Sequence, residues 1–566
     1  MKKIKLRAGA LIRIGGALIA AVFLVSCITA ISSGLYNAIH PIRYIYSKEN
    51  TLQVSVPYIV DGEAAEKKFR IPRGTAVRLS EKKEKESTFQ YEGMQISLDN
   101  RYLKNTLEEC IQIDTVYPRR LINLREKKDG PLCDEIVKKG ESVQVAKVDL
   151  DDLDQTTGEI RWYQIEKDGK KYWLNGKYVE TDKDLATKNW NTDITYSTYW
   201  DEYYGEGYSK DAYIDQIDYK PTQTAKYEDN SLLTNCNAVH ISLENMIQNK
   251  EYYLNLNKET GVNAYVVELK GDAGYLWYDS KVADEYLNDP KQAKSNVLAS
   301  MDELKDLIKE FQDQGYYIIG RIVTFKDQIF ALQNSKESIT DNSGNLIVHN
   351  DEYWPSAYSR KAWMYNVAIA KEVVADCGVN EIQFDYVRFP DGLSASMDSI
   401  DLKNTYDESK TAALQGFLQY AKEELEPYHV YVAADVFAWP LVAQDDQDIG
   451  QFYLAIANSV DVICPMPYSD HFSAGAMGIE DPGSDPGKVL EEYTRLAAKE
   501  MKELENPPVY RSWIQAYGDL TPDQIKAQIK GINDSGYEGY MVWYGFGNPE
   551  DLDSNKAGYI DSAMQK

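Results

Sequence analysis

Two aspartates close short apolar runs in the second half of the sequence. Asp385 lies in Glu381-Ile382-Gln383-Phe384-Asp385-Tyr386-Val387-Arg388-Phe389-Pro390, and Asp435 in Val430-Tyr431-Val432-Ala433-Ala434-Asp435-Val436-Phe437. Two carboxyl groups on neighbouring strand ends are what cleavage of a glycosidic bond requires. Strand parity supports both positions. Ile382 and Phe384 fall on one face, suited to packing on helices, while Gln383 and Asp385 fall on the other. Asp435 shares its face with Ala433 and Tyr431. Each aspartate has aromatic neighbours, Tyr386 and Phe389 beside the first, Phe437 and Trp439 beside the second. Rings around a carboxyl group desolvate it and raise its pKa, as an acid catalyst needs, while Arg388 can keep a neighbour ionised, as a nucleophile needs. Asp385 is therefore expected to be the nucleophile and Asp435 the acid/base.

Further polar and aromatic residues close the neighbouring runs and are expected to bind substrate. Glu268, Lys270 and Asp272 end the second run, where a structural ion pair and a substrate contact are equally good readings. Arg321 lies in the third run, Tyr386 and Arg388 follow the fourth, and Tyr468 and His471 follow the sixth. Arg511, Trp513 and Gln515 share one face of the seventh, and Trp543 lies in the eighth. Arg, Gln and Trp along an inward face would make a polar cleft walled by rings, although either tryptophan also suits a core. No metal and no cofactor are expected: the six cysteines show no C-x-x-C spacing and the five histidines no H-x-x-x-H pattern.

The elements that must position these residues are eight apolar runs separated by helix-length stretches. They are Ala238–Ser242, Ala264–Lys270, Tyr317–Val323, the two runs already quoted, Asp461–Met466, Val509–Gln515 and Gly539–Tyr544. Alternating strand and helix patterns predict an α/β fold, a (β/α)8 TIM barrel over 231–566, with its chemistry at the C-terminal ends of the strands.

The remaining chain says where such a barrel works. At 566 residues several domains are expected, and 43% hydrophobic content is ample for their cores. A net charge of −27 excludes nucleic-acid binding, which needs a basic footprint. A basic tail over 1–13 precedes an uncharged, mostly apolar stretch over 14–35, which as a helix would span roughly 33 Å. That predicts a transmembrane signal anchor, with everything beyond it extracytoplasmic. A rival reading is a lipoprotein, since Leu24-Val25-Ser26-Cys27 resembles a lipidation box. Between them and the barrel, 181–230 is polar, acidic and tyrosine-rich, a linker or extension. Cys110 and Cys133 could pair in an oxidising compartment, which the sequence leaves open.

Residues 50–180 contain a repeat. Pro72–Leu79 parallels Lys138–Val145, and Leu98–Leu103 parallels Leu174–Val179. Leu121–Arg125, the Gly140 turn, Trp162–Ile165 and Lys171–Trp173 resemble a bacterial SH3-like domain over 111–180, and a more divergent small all-β copy is expected over 50–110. The resemblance implies docking on a cell-wall polymer; a spacer is the other reading. The blocks Asn263–Gly274, Gly320–Asp327, Phe384–Pro390, Ala434–Phe437, Pro465–Phe472 and Arg511–Gln515 together resemble a family of bacterial proteins inferred to be glycoside hydrolases, (β/α)8 barrels distantly related to the α-amylase-like enzymes. The resemblance covers Thr234 to Trp543 and carries its functional residues onto Asp385 and Asp435. This chain departs from it at Glu268, where the family often has Asp, and at Ser469-Asp470, where it has Pro-Ser. An amylase-like enzyme would also have Glu at the strand-five position. The expectation is a membrane-anchored extracytoplasmic glycoside hydrolase acting on a cell-envelope or extracellular polysaccharide. The alternative is a non-catalytic glycan-binding or wall-scaffolding barrel.

Overall fold

Runs rich in β-branched and aromatic residues form strands where expected, and each is paired in parallel with its neighbours in sequence. The computed structural model describes residues 36–60, 63–154, 156–189, 215–393, 399–544 and 547–559. The strands of the larger sheet are β1 (Asn237–Ser242), β2 (Ala264–Lys270), β3 (Tyr317–Val323), β4 (Glu381–Asp385), β5 (Tyr431–Phe437), β6 (Val462–Met466), β7 (Val509–Tyr510 and Ser512–Gln515) and β8 (Tyr540–Trp543). β7 is in two pieces separated by Arg511; the first pairs with β6 and the second with β8. β8 in turn pairs with β1, so the nine segments run round into a parallel barrel.

Helices cover the outside, and their ends follow from local chemistry. Ser300 and Glu303 form a capping box at the start of Met301–Asp313, and Thr521 and Gln524 do the same before Pro522–Asp534. Ser359 and Ser409 cap Arg360–Cys377 and Lys410–Leu425. Such caps each contribute about 0.5–2 kcal/mol. Outward residues of the strands pack on these helices, as where the Phe384 ring lies 5.2 Å from Phe417. Inward residues meet across the lumen, where Gln383 Nε2 contacts Met541 Sδ at 3.2 Å. The N-terminal floor of the barrel is closed by a buried pair, Arg511 Nη1 to Glu381 Oε1 at 2.7 Å, with Tyr317 OH donating to Glu381 Oε2 at 3.1 Å.

By its contacts the chain divides into two compact units. One takes residues up to 117 with 124–135 and 142–181; the other takes 118–123, 136–141 and 182 onward. The first is all-β, with two antiparallel sheets and a long hairpin, Thr51–Val60 with Glu63–Pro72. The repeat over 50–180 is structural. Gly74 and Gly140 adopt φ of +80° and +71° in the turns before Ala76–Lys82 and Val143–Val148, a conformation costly for other residues. Later, Asp99 accepts from the Arg101 N–H and Asn175 from the Lys177 N–H, each capping a 3-10 turn that leads into a two-residue strand.

Cys110 and Cys133 are free thiols. Among the described residues no helix is long and apolar enough to cross a membrane. The anchor expected over 14–35, its basic tail and Cys27 lie outside the described residues, as does the tyrosine cluster of 199–204.

Candidate active site

Register sets the two aspartates level. Phe384 pairs with Ala434, so the residues that follow, Asp385 and Asp435, stand side by side at the C-terminal ends of β4 and β5. Neighbouring strands are about 4.8 Å apart. Both side chains face the lumen, where Arg321 from β3 and Trp513 from β7 reach them.

Arg321 is the node of the site. Its Nη2 and Nε donate to Asp385 Oδ2 at 2.5 and 3.1 Å, and its Nη1 donates to Glu268 Oε2 at 2.8 Å. A planar guanidinium presents its donors in a fixed fork, which suits two carboxylates placed on different sides of it. Glu268 also accepts from Trp277 Nε1 at 3.0 Å and lies 3.8 Å from His240 Nε2. Burial pushes the Glu268 carboxyl up. The nearby His240, the Arg321 charge and the Trp277 bond outweigh it and bring Glu268 down to about 2.

Asp435 has the opposite surroundings. It is 1% exposed, against 6% for Asp385 and 6% for Glu268. Its Oδ1 accepts from Trp513 Nε1 at 2.7 Å, and its buried Oδ2 accepts no hydrogen bond from any described residue. Burial, and then the charge of Asp385, push the Asp435 carboxyl well above the usual carboxylate range; Trp513 and Arg321 oppose this without cancelling it. Carboxyl groups driven apart in this way within one site are the signature of divided acid and base roles.

The rim is aromatic and cationic. Tyr386 has φ of +50°, sparsely populated for a bulky residue, and its N–H donates to Asp385 Oδ1 at 2.6 Å. Lys326 Nζ and the Arg388 guanidinium lie 5.0 and 5.1 Å from its ring centre. Arg388 also lies against Trp354 and Phe437, at 5.2 and 4.5 Å. Across the mouth, the half-buried Trp543 ring is 4.4 Å from His240. Half-exposed rings beside converging polar groups suit a sugar ring.

The residues expected to bind substrate divide into two sets. Glu268, Arg321, Tyr386, Arg388 and Trp543 gather around the carboxylates. Asp272 pairs with Lys326 at 2.5 Å on the same rim, and Tyr468 and the exposed His471 stand together in the loop after β6, rings 5.3 Å apart. The other four are buried and engaged with partners inside the protein. Lys270 is fully buried, its Nζ 2.7 Å from Asp327 and 3.0 Å from Asn366 Oδ1 on Arg360–Cys377. Arg511 is fully buried in the barrel floor. Trp513 is buried beneath the mouth, and Gln515 is occupied by the Ser469 N–H and hydroxyl at 3.1 and 2.9 Å. His240 and Trp277 went unnoticed in the sequence. Parity on β1 would have found His240, which shares the inward face with Ala238; Trp277 lies in a loop and carries no periodic signal.

A cavity of about 560 Å³ opens elsewhere, at the N-terminal end of the barrel, among Leu233, Tyr317, Asn380 and His429. Its amides are already bonded to each other, as with Asn380 Nδ2 to Asn230 Oδ1 at 3.1 Å, and the carboxylates are remote from it. Among the described residues no cluster of His, Cys, Asp or Glu is arranged to hold a metal.

Residues 238–547, from β1 to beyond β8 and more than half of the chain, match the family described as "Putative glycosyl hydrolase domain". The chain belongs to this family. Its barrel is a glycosyl hydrolase domain, and the carboxylates described above lie within the matched residues. No curated protein matches the chain. Solved structures similar to it include a hypothetical protein from Ruminiclostridium thermocellum ATCC 27405, at 30% identity over 35% of this chain and 97% of the other, TM-score 0.30. The glycoside hydrolase domain of PgaB (BpsB) from Bordetella bronchiseptica is 12% identical over 58% of this chain and 99% of the other, TM-score 0.41. A noncanonic maltogenic α-amylase, AmyB, from Thermotoga neapolitana is 11% identical over 55% and 68%, TM-score 0.35.

Proposed function

We propose that the glycosyl hydrolase domain cleaves a cell-envelope or extracellular polysaccharide with retention of configuration, on the outer face of a membrane to which residues 14–35 anchor it. The observation that carries the mechanism is the contrast between two level carboxyl groups, Asp385 under the Arg321 fork and Asp435 buried against Trp513. Asp385 attacks the anomeric carbon while Asp435 gives its proton to the glycosidic oxygen; the C–O bond breaks and the leaving sugar departs as an alcohol. Water then attacks the glycosyl ester, returns a proton to Asp435 and frees Asp385. Burial keeps Asp435 protonated until a sugar is seated against it, when the leaving oxygen becomes the partner of Oδ2. Glu268, brought down to about 2, suits a carboxylate that stays ionised better than the acid. The repeated all-β modules are read as SH3-like, holding the barrel off the membrane or docking it on a wall polymer.

The test is reducing-end release by the purified full chain from a panel of envelope glycans, with the anomer of the first product followed by NMR. Release with retention is expected. An inverted first product would refute the nucleophile role of Asp385, and protection of the barrel from protease added to intact cells would refute the location.

A further inference from the structure

We infer that Trp513 is a positioning residue for the acid, holding Asp435 Oδ1 so that Oδ2 carries the proton given to the leaving group. The inference rests on the proposed reading of Asp435. A carboxylic acid has one protonated oxygen, and surrounding donors decide which. The indole N–H is a donor only, and it points at Oδ1 from 2.7 Å. A proton on Oδ1 would compete with that donor, whereas Oδ2 has no donor facing it. The acid proton therefore belongs on Oδ2. Trp513 is itself fixed: its ring meets Trp543 edge-on, centroids 5.8 Å apart at 87°, and β7 locks its backbone in register with Met541. Its only polar group, the indole N–H, is taken up by Asp435, so its polar contribution to the reaction passes through Asp435.

The charged and titratable groups facing Asp435 come from every strand around it: Arg321 on β3, Asp385 and Glu381 on β4, Cys464 paired beside it on β6, and Tyr468 in the following loop. Among them only Trp513 donates a hydrogen bond to its carboxyl group, as far as the described residues go. That bond favours the ionised form, so deleting it should make the acid weaker and leave its proton less well directed.

The test compares Trp513→Phe, which keeps an aromatic ring and removes the donor, with wild type and Asp435→Asn in the full chain. The alkaline limb of the kcat/KM profile should move to higher pH, and kcat on the natural glycan should fall about tenfold. Aryl glycosides with good leaving groups should be nearly unaffected, since they need no protonation. A purely structural tryptophan would slow both substrates alike and leave the limb where it was, and that result overturns the inference. If Trp513→Phe does not fold, site-specific replacement of Trp513 by benzothienylalanine, which substitutes sulfur for the N–H, answers the same question. Should Asp435→Asn hydrolyse the natural glycan at the wild-type rate, the reading of Asp435 as the acid fails and takes this inference with it. Should Asp435→Asn be impaired on that glycan alone while the Trp513 variants match wild type, only the role of Trp513 fails.

Discussion

His240, Arg321 and Trp277 hold Glu268 down while burial and the Asp385 charge hold Asp435 up, so the two carboxyl groups contribute with opposite signs in pH. Glu268 has a folded pKa brought down to about 2, below its unfolded value of about 4.3. It therefore contributes about 3 kcal/mol above the unfolded pKa, a contribution lost as pH falls towards 2. Asp435 is raised, so the folded protein holds its proton more tightly than the unfolded chain, and stability is lost as pH rises from about 3.9 through the raised value. Chemical denaturation across pH should show the stability deficit of Glu268→Gln narrowing as pH drops from about 4.5. Asp435→Asn should gain on wild type as pH rises, and parallel curves for either variant would contradict the assignment. At this scale the sequence shows where side chains stand on a strand but not what neighbours them. Parity reads Asp385 and Asp435 as inward strand-end residues. It leaves Lys270 open between an ion pair and a substrate contact; a register shift follows Glu268 on β2, and Lys270 stands in an ion pair with Asp327, beside Asn366. It cannot tell height either, and so groups Arg511 in the floor with Gln515 near the mouth.

At the scale of elements, the buried Lys270–Asp327 pair ties the end of β2 to the loop after β3, and Asn366 joins both to Arg360–Cys377. Lys270→Met would leave Asp327 as a buried unpaired charge. It should destabilise the barrel by about 3–5 kcal/mol, measured by denaturation, with KM unchanged. A raised KM at unaltered stability would return Lys270 to the substrate site. The eight strands were legible because each is an apolar run of strand length bounded by turns, and the helices because the stretches between those runs are of helix length. The division of β7 at Arg511 was not, and the residue at the break is held by Glu381, more than a hundred residues earlier in the sequence.

At the scale of the whole molecule, contacts also divide the chain between 181 and 182, where its composition changes, but they do not leave everything before that point in one unit. Residues 118–123 and 136–141 belong with the barrel unit. Arg119 Nε donates to Asp218 Oδ1 at 2.8 Å with both side chains buried, and Arg360 Nε donates to Asn123 Oδ1 at 2.8 Å. Composition cannot report such long-range pairs. A fragment of residues 182–566 lacks Arg119 and should be less stable than the full chain by about 3–5 kcal/mol in calorimetry or denaturation. Equal stability would show that these segments contribute nothing to the barrel.

The central claim, that Asp385 and Asp435 are the catalytic pair, is tested most directly by turnover. Wild type, Asp385→Asn and Asp435→Asn, each shown to be folded, are compared on a glycan that wild type hydrolyses. Asp385→Asn should lose hydrolysis while keeping glycan binding. Asp435→Asn should lose about 10²–10⁴-fold on that glycan and far less on an activated aryl glycoside. Wild-type turnover by Asp385→Asn would contradict the account.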